Sequence, residues 1–198
     1  LCQSLPAVSV ETDLVEFSPA LLNADVVGVH LSAMSPTMYQ RVMGVDAMQK
    51  VVENIRQLIA MRQASGRAIP IVAPIFTKLA MNLDEMEQWY DTWLRAVGSA
   101  VIVGPSTFGG LVPQLAAADM TPPLRRACAR IDSRMTILCD GSIVACDQDV
   151  EGHHALGNVM TDDIATVWRG GMSELRAAHK SLASLPVLCG NCNEWHRP

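Results

Sequence analysis

The cysteines of this chain are unevenly spread. Cys2 stands alone near the start, and the other five, Cys128, Cys139, Cys146, Cys189 and Cys192, all lie beyond a Thr121-Pro122-Pro123 break. Five thiols in so short a stretch constrain its fold more than any propensity does, because they must be paired, hold a metal or be packed apart. An even cysteine count in a small secreted chain suggests disulfides. Here a long stretch with no cysteine and a β-α pattern precedes them. That is expected of a cytoplasmic protein, in which thiols stay reduced and clusters of them bind metal.

Before the break the chain alternates apolar strands with amphipathic helices. Val26 to Leu31 reads as a buried strand, and Ser35-Pro36 supplies an N-cap and an N1 proline for a helix that Gly44 can end. A second helix, about 46 to 64, places Met48, Val51, Val52, Ile55, Leu58 and Ile59 on one face. Ile69 to Phe76 is a near-continuous apolar run, as in a parallel strand covered on both sides. Asn82-Leu83-Asp84-Glu85 has the form of a capping box. The helix after it should bury Met86, Trp89 or Tyr90, Trp93, Leu94 and Val97 before Gly98 stops it, with Glu85, Glu87 and Asp91 on its solvated side. Ala100 to Val103 is a further strand. This is β-α-β grammar and predicts an α/β fold with a parallel sheet or part of a barrel.

Beyond the double proline the pattern changes. Met135 to Leu138 and Ser142 to Ala145 flank Asp140-Gly141, a two-residue hairpin signal. A helix from about 162 to 180 follows, capped by Thr161 or Asp162, with Ile164, Val167, Trp168, Met172 and Leu175 on its core side. Cys146 closes the hairpin, Cys128 precedes it, and Cys189-Gly-Asn-Cys192 forms a CxxC pair in a Pro- and Gly-flanked stretch. A hairpin brings its flanks together, so these four thiols can converge. Four soft thiolates suit zinc or a cubane iron–sulfur cluster. A CxxC redox pair is the remaining alternative, although such pairs sit at a helix N-terminus beside a βαβ unit. Cys139, in the hairpin strand beside the turn, is expected to be a packed free thiol.

The ordered landmarks Cys128, Asp140-Gly141-Ser-Ile-Val-Ala-Cys146-Asp147, Leu156-Gly157-Asn158-Val159, Ile164, Val167-Trp168, Leu175-Arg176, His179, Pro186 and Cys189-xx-Cys192 resemble the C-terminal auxiliary-cluster domain of radical S-adenosylmethionine (SAM) enzymes, the SPASM or shorter twitch type. The resemblance implies an auxiliary [4Fe-4S] cluster on Cys128, Cys146, Cys189 and Cys192. Full SPASM domains continue the CxxC with a cysteine six residues on, and Pro198 stands there, which favours the one-cluster twitch arrangement.

The first half resembles the later βα units of the radical SAM partial barrel, through His30-Leu31-Ser32-Ala33-Met34-Ser35-Pro36, Tyr39, Arg41, Gly44 and Asn82 to Glu85. His30 and Ser32 replace the Ser and Asp usual on that strand. The organisation this implies is an α/β partial (βα) barrel portion over 1–118 and a small α+β SPASM/twitch domain over 125–198. Arg41 matches a family arginine near the SAM carboxylate, and a guanidinium suits a carboxylate. Asp147 matches an aspartate that accepts a proton in sulfatase-maturating relatives, and Asp149 offers the same chemistry.

The family's CxxxCxxC loop and its glycine-rich SAM segment appear nowhere in the chain. Both would precede residue 1, and the opening on Leu1 without a leader pattern suits a fragment. The intact parent would then be an oxidoreductase or maturase using SAM and a second [4Fe-4S] cluster on a peptide, protein or small-molecule substrate, with a possible electron-donor protein. This chain alone would be inactive. The competing class is a non-catalytic zinc- or cluster-binding module, or an adaptor for a separate radical SAM subunit.

Other classes are disfavoured. A net charge of −5 offers no basic stripe for nucleic acid. No apolar run approaches the roughly 20 residues of a membrane span. His153, His154 and His196 are expected at the surface, Trp168 in the core, and Trp195 over the cluster, where exclusion of solvent would tune its potential.

Overall fold

The computed structural model describes residues 7–197; Cys2 and Pro198 lie outside them. The chain divides into two compact units. The first runs to Pro105 and includes Leu115–Ala117; the second comprises Ser106–Gln114 and everything from Ala118 onward. Ser106–Gln114, which the sequence places in the first domain, therefore packs with the second.

The first unit is built on β1 (Ser9–Thr12), β2 (Val26–His30), β3 (Ile71–Thr77) and β4 (Val101–Val103). These form one sheet in the order β1-β2-β3-β4, every pair parallel. Between β2 and β3 lie α1 (Pro36–Met43) and α2 (Met48–Ala64), and α3 (Met86–Val97) leads to β4. Ser35 caps α1 by accepting the Met38 N–H at 3.3 Å. Gly44 and Gly98 end α1 and α3 at φ 78° and 80°, the left-handed conformation that stops a helix. Pro74 sits inside a central strand, yet β4 pairs with β3 only from Ile75 onward. Its missing N–H thus leaves no gap in that ladder.

Alternation divides the sheet into two faces. Val27, Val29, Val72 and Phe76 join Val51, Ile55 and Leu58 of α2 and Trp89 and Trp93 of α3 in one core. Phe76 and Trp89 meet as tilted rings with centroids 5.1 Å apart. Glu11, Gly28, Ala73, His30 and Ile75 stand on the opposite face, in register across β1, β2 and β3, and there His30 Nε2 lies 3.1 Å from Glu11 Oε2. Of Trp89 and Tyr90 it is Trp89 that is buried, with Tyr90 exposed, and Leu94, expected inside, is exposed. Inside α2, the buried Asn54 instead donates to the Leu14 carbonyl at 2.9 Å.

The capping box does not form. Asn82 is fully buried; its Oδ1 accepts the Leu79 N–H, and its Nδ2 donates to the carbonyls of Ser32 and Thr77, at 2.9–3.0 Å. Glu85 reaches back to the Met34 N–H and the Ser35 hydroxyl, both at 2.6 Å. Local spacing looked like a cap, but the two side chains tie the segments that follow β2 and β3. Helix α3 starts only after a 3-10 turn, Leu83–Glu85.

The second unit has a three-stranded antiparallel sheet, β5 (Thr136–Ile137), β6 (Ser142–Val144) and β7 (Gly157–Asn158), in that order. The hairpin loop has three residues rather than two. Leu138 N–H bonds to the Ser142 carbonyl and Gly141 N–H to the Leu138 carbonyl, and Gly141 takes φ 87°, a type I turn closed by a left-handed glycine. Cys139 is thereby moved into the turn and exposed. The single helix expected over 162–180 is two, α5 (Ile164–Arg169) and α6 (Gly171–Ser181), because Gly170 leaves the helical region and two adjacent glycines weaken a helix. Asp163 is the cap, accepting the Thr166 N–H at 2.9 Å, and Ile164 is exposed. Ile131, Ala145, Met172 and Leu175 form the small core.

Asn82→Ala would strand the Leu79 N–H and two strand-end carbonyls in a buried site. We expect a stability loss of about 2–4 kcal/mol, read as a lower urea midpoint with unchanged slope. A loss within about 0.5 kcal/mol, as at ordinary surface positions, would remove Asn82 from this role.

Candidate iron–sulfur centre

Four cysteines converge in the second unit. Cys128 precedes the short helix α4 (Arg130–Ser133), Cys146 follows β6, Cys189 lies in α7 (Val187–Asn191), and Cys192 is the residue that ends α7. Cys128, Cys146 and Cys189 are buried, Cys192 is half-buried, and none is in a disulfide. The CxxC pair is thus on a short helix rather than in the loop expected from its flanking Pro and Gly.

The thiols lie close to one another, since Cys146, Cys189 and Cys192 each feel the charge of others in the set. Burial pushes Cys146 up to about 11, and the neighbouring charges of Asp147, Cys192 and Cys128 push the same way. Cys189 is pushed up to about 12, first by burial and then by Cys146, Cys192 and Cys128. Cys192 is raised too, chiefly by burial. A set of buried thiols that repel one another as thiolates is what a bound cation relieves.

Two of the sulfurs are already served by backbone donors. The Glu194 N–H donates to Cys192 Sγ at 3.2 Å, and the Gln148 backbone hydrogen bond lowers Cys146 against the other influences on it. In both cases the donor is two residues after the cysteine. N–H groups aimed at sulfur favour the thiolate and are among the contacts that set the potential of an iron–sulfur cluster. Among the described residues no three His, Cys, Asp or Glu side chains are arranged to hold a single metal ion. Four soft thiolate donors are a set that suits an iron–sulfur cluster or zinc.

Residues 128–193 match the family model of the SPASM iron–sulfur cluster-binding domain. The chain carries a SPASM domain. An uncharacterized protein of Treponema pallidum (strain Nichols) is 30% identical over 172 residues, 85% of this chain and 46% of that protein. The chain therefore spans about half the length of the curated relative it matches. No solved structure matches it.

Around the SPASM domain's thiols stand residues that sequence reasoning did not single out as part of the site. Arg125 is half-buried and its guanidinium donates to the backbone carbonyls of Cys189 and of Cys192, the latter at 3.1 Å. His179, 2% exposed, accepts the Cys128 N–H at Nδ1, 3.4 Å away. Its proton therefore resides on Nε2, which is buried without a partner among the described residues. Burial first, then the Arg125 charge, hold its pKa below the usual histidine value. The sequence signals for the two were a basic residue shortly after a double proline and, for His179, a place among the landmarks of the resemblance that carried no assigned role.

The remaining predicted residues are dispersed. Asp147 is paired with Arg130 at 3.0 Å, with its own side chain 63% exposed. Asp149 is buried, and its two oxygens accept the backbone N–H groups of His153 and His154, both at 2.9 Å. Arg41 is exposed in the last turn of α1. His153 pairs with Glu151 at 2.9 Å; His154 and His196 are half-buried. Trp168 is half-buried under the Arg176 guanidinium, 3.9 Å from its ring centre. Trp195 is buried and meets the ring of His196 edge-on.

The thiol shifts fix a pH dependence for the reduced, iron-free chain. The folded values lie above those of free thiols, so the unfolded chain ionises first. The stability these thiols contribute is complete below about pH 9 and is lost as pH rises through about 11 to 12. Urea midpoints should fall between pH 8 and pH 10.5, and the Cys146→Ala, Cys189→Ala double variant should show a shallower fall. Equal slopes in the two proteins would contradict the burial described.

Proposed function

We propose that Cys128, Cys146, Cys189 and Cys192 hold one auxiliary [4Fe-4S] cluster, and that the chain is the C-terminal portion of a radical SAM enzyme acting on a peptide, protein or small-molecule substrate. The observation that carries this is the convergence of four thiols inside a region that matches an iron–sulfur family model. The first unit supports the same reading. Its sheet is all parallel in sequential order, and its helices pack on one face, as in a barrel wall, whereas a doubly wound sheet is covered on both.

When bound, the cluster would supply a one-electron acceptor beside the substrate. The chain's own residues would shape the site around it. The N–H groups of Gln148 and Glu194 favour thiolate over thiol at Cys146 and Cys192. His179 fixes the backbone at Cys128. Asp147, exposed and held by a single ion pair, would accept a proton from a substrate; Asp149, with both oxygens occupied, is a structural cap. In the parent, Arg41 would meet the SAM carboxylate, and SAM cleavage would depend on a CxxxCxxC segment this chain does not contain.

Purified anaerobically, the chain should be brown and carry about four iron and four sulfide. The Cys189→Ala, Cys192→Ala double variant should lose them, while Cys139→Ala keeps them. Colourless protein containing zinc would replace this reading with a zinc-stabilised module, and a double variant with its iron intact would remove the CxxC pair from the site. Reading the gene upstream of residue 1 for an in-frame CxxxCxxC loop distinguishes the enzyme from an adaptor.

A further inference from the structure

Arg125 lies just before the cluster-binding region proper and is bound entirely to the far end of it. One terminal nitrogen donates to the Cys192 carbonyl at 3.1 Å and reaches the Gly190 carbonyl at 3.4 Å; the other donates to the Cys189 carbonyl. These are carbonyls of the last turn of α7 and of the residue after it; that of Cys189 also accepts the Cys192 N–H at 3.3 Å, and a planar guanidinium fork suits several acceptors at once. On its other side the guanidinium carbon lies 5.9 Å from the centre of the buried Trp195 ring, an arrangement that attracts a cation. No carboxylate is paired with it among the described residues, and its fork places the charge against the backbone of both CxxC cysteines.

We infer that Arg125 is a positioning residue with two linked effects: its fork holds the CxxC backbone in the ligating geometry, and its positive charge favours the reduced form of the cluster. The inference rests on the cluster reading above. Four thiolates around an oxidised cubane leave a net negative charge that one-electron reduction makes more negative. A fixed cation beside two of the thiolates therefore raises the midpoint potential, and a half-buried cation is screened less than one in open solvent.

The test uses the full chain, reconstituted anaerobically with iron and sulfide, with Arg125→Gln and Arg125→Lys compared by iron content and by redox titration followed by electron paramagnetic resonance. At the wild-type midpoint the Gln variant should show a reduced-to-oxidised ratio lower by about tenfold, which for one electron is about 59 mV. The Lys variant should keep the wild-type potential while losing iron faster to a chelator, because it retains the charge and lacks the fork. A Gln variant with full iron and an unchanged potential overturns the inference. If the Gln variant takes up no iron, the Lys variant decides. Retained iron at the wild-type potential supports the inference, and a lowered potential or an iron-free Lys variant overturns it. A wild-type chain that takes up no cluster would sink the cluster reading, a result distinct from any of these.

Discussion

The grouping of four cysteine sulfurs, three buried and one half-buried, is the constraint around which the second unit is organised. Burial makes Cys146, Cys189 and Cys192 resist ionisation, and the charges of neighbouring thiolates in the set add to it. Left to packing alone, such an arrangement gains nothing over four aliphatic side chains. It becomes favourable only when a cation binds the thiolates, and metal-binding free energy is then folding free energy. The small core of this unit, four buried residues supported by Met135, Leu156 and Trp168, is consistent with that division of labour. Its strands are two or three residues long, too short to hold a fold by their ladders. What they do instead is deliver Cys146 to the place where Cys128 and α7 arrive.

The first unit depends on different physics. Its core is large and continuous, with two tryptophans, a tyrosine and a phenylalanine packed among aliphatic residues. Its polar interior is concentrated where strands end. Asn82 and Glu85 together bind segments following β2 and β3 through five hydrogen bonds of 2.6–3.0 Å. In parallel α/β folds, ligands bind outside the carboxyl ends of the strands, so rigidity at that edge serves whatever is bound there. The two side chains are used for this edge rather than for starting a helix.

Elements determined by local chemistry were legible in the sequence. Ser35-Pro36 opens α1 and Gly44 closes it, Gly98 closes α3, and the apolar runs became β2, β3 and β4. What was misread depended on partners distant in sequence. Asn82 and Glu85 have cap spacing, yet the Ser32 carbonyl that Asn82 meets and both partners of Glu85 lie 50 or 51 residues away. The break at Gly170 and the three-residue hairpin loop turned on single glycines whose backbone angles a pattern does not reveal. At the site, the thiol spacing and the landmarks between them were enough to find the cysteines. Arg125 and His179 carried no comparable signal, because a lone arginine or histidine acquires meaning only from the carbonyl or N–H it meets.

The two aspartates after Cys146 show how far geometry separates residues that a sequence cannot. Both are carboxylates within three positions of a proposed ligand, and strand alternation, which puts residues two apart on one face, would not separate them. Asp149 is buried with each oxygen accepting a backbone N–H, so protonating it would break a loop contact, and it is poorly suited to shuttle a proton. Asp147 has one partner, Arg130, whose side chain is itself largely buried. A carboxylate in that position keeps a free oxygen toward solvent while its orientation is fixed. Of the two, Asp147 is therefore the better placed for the proton-accepting role proposed above.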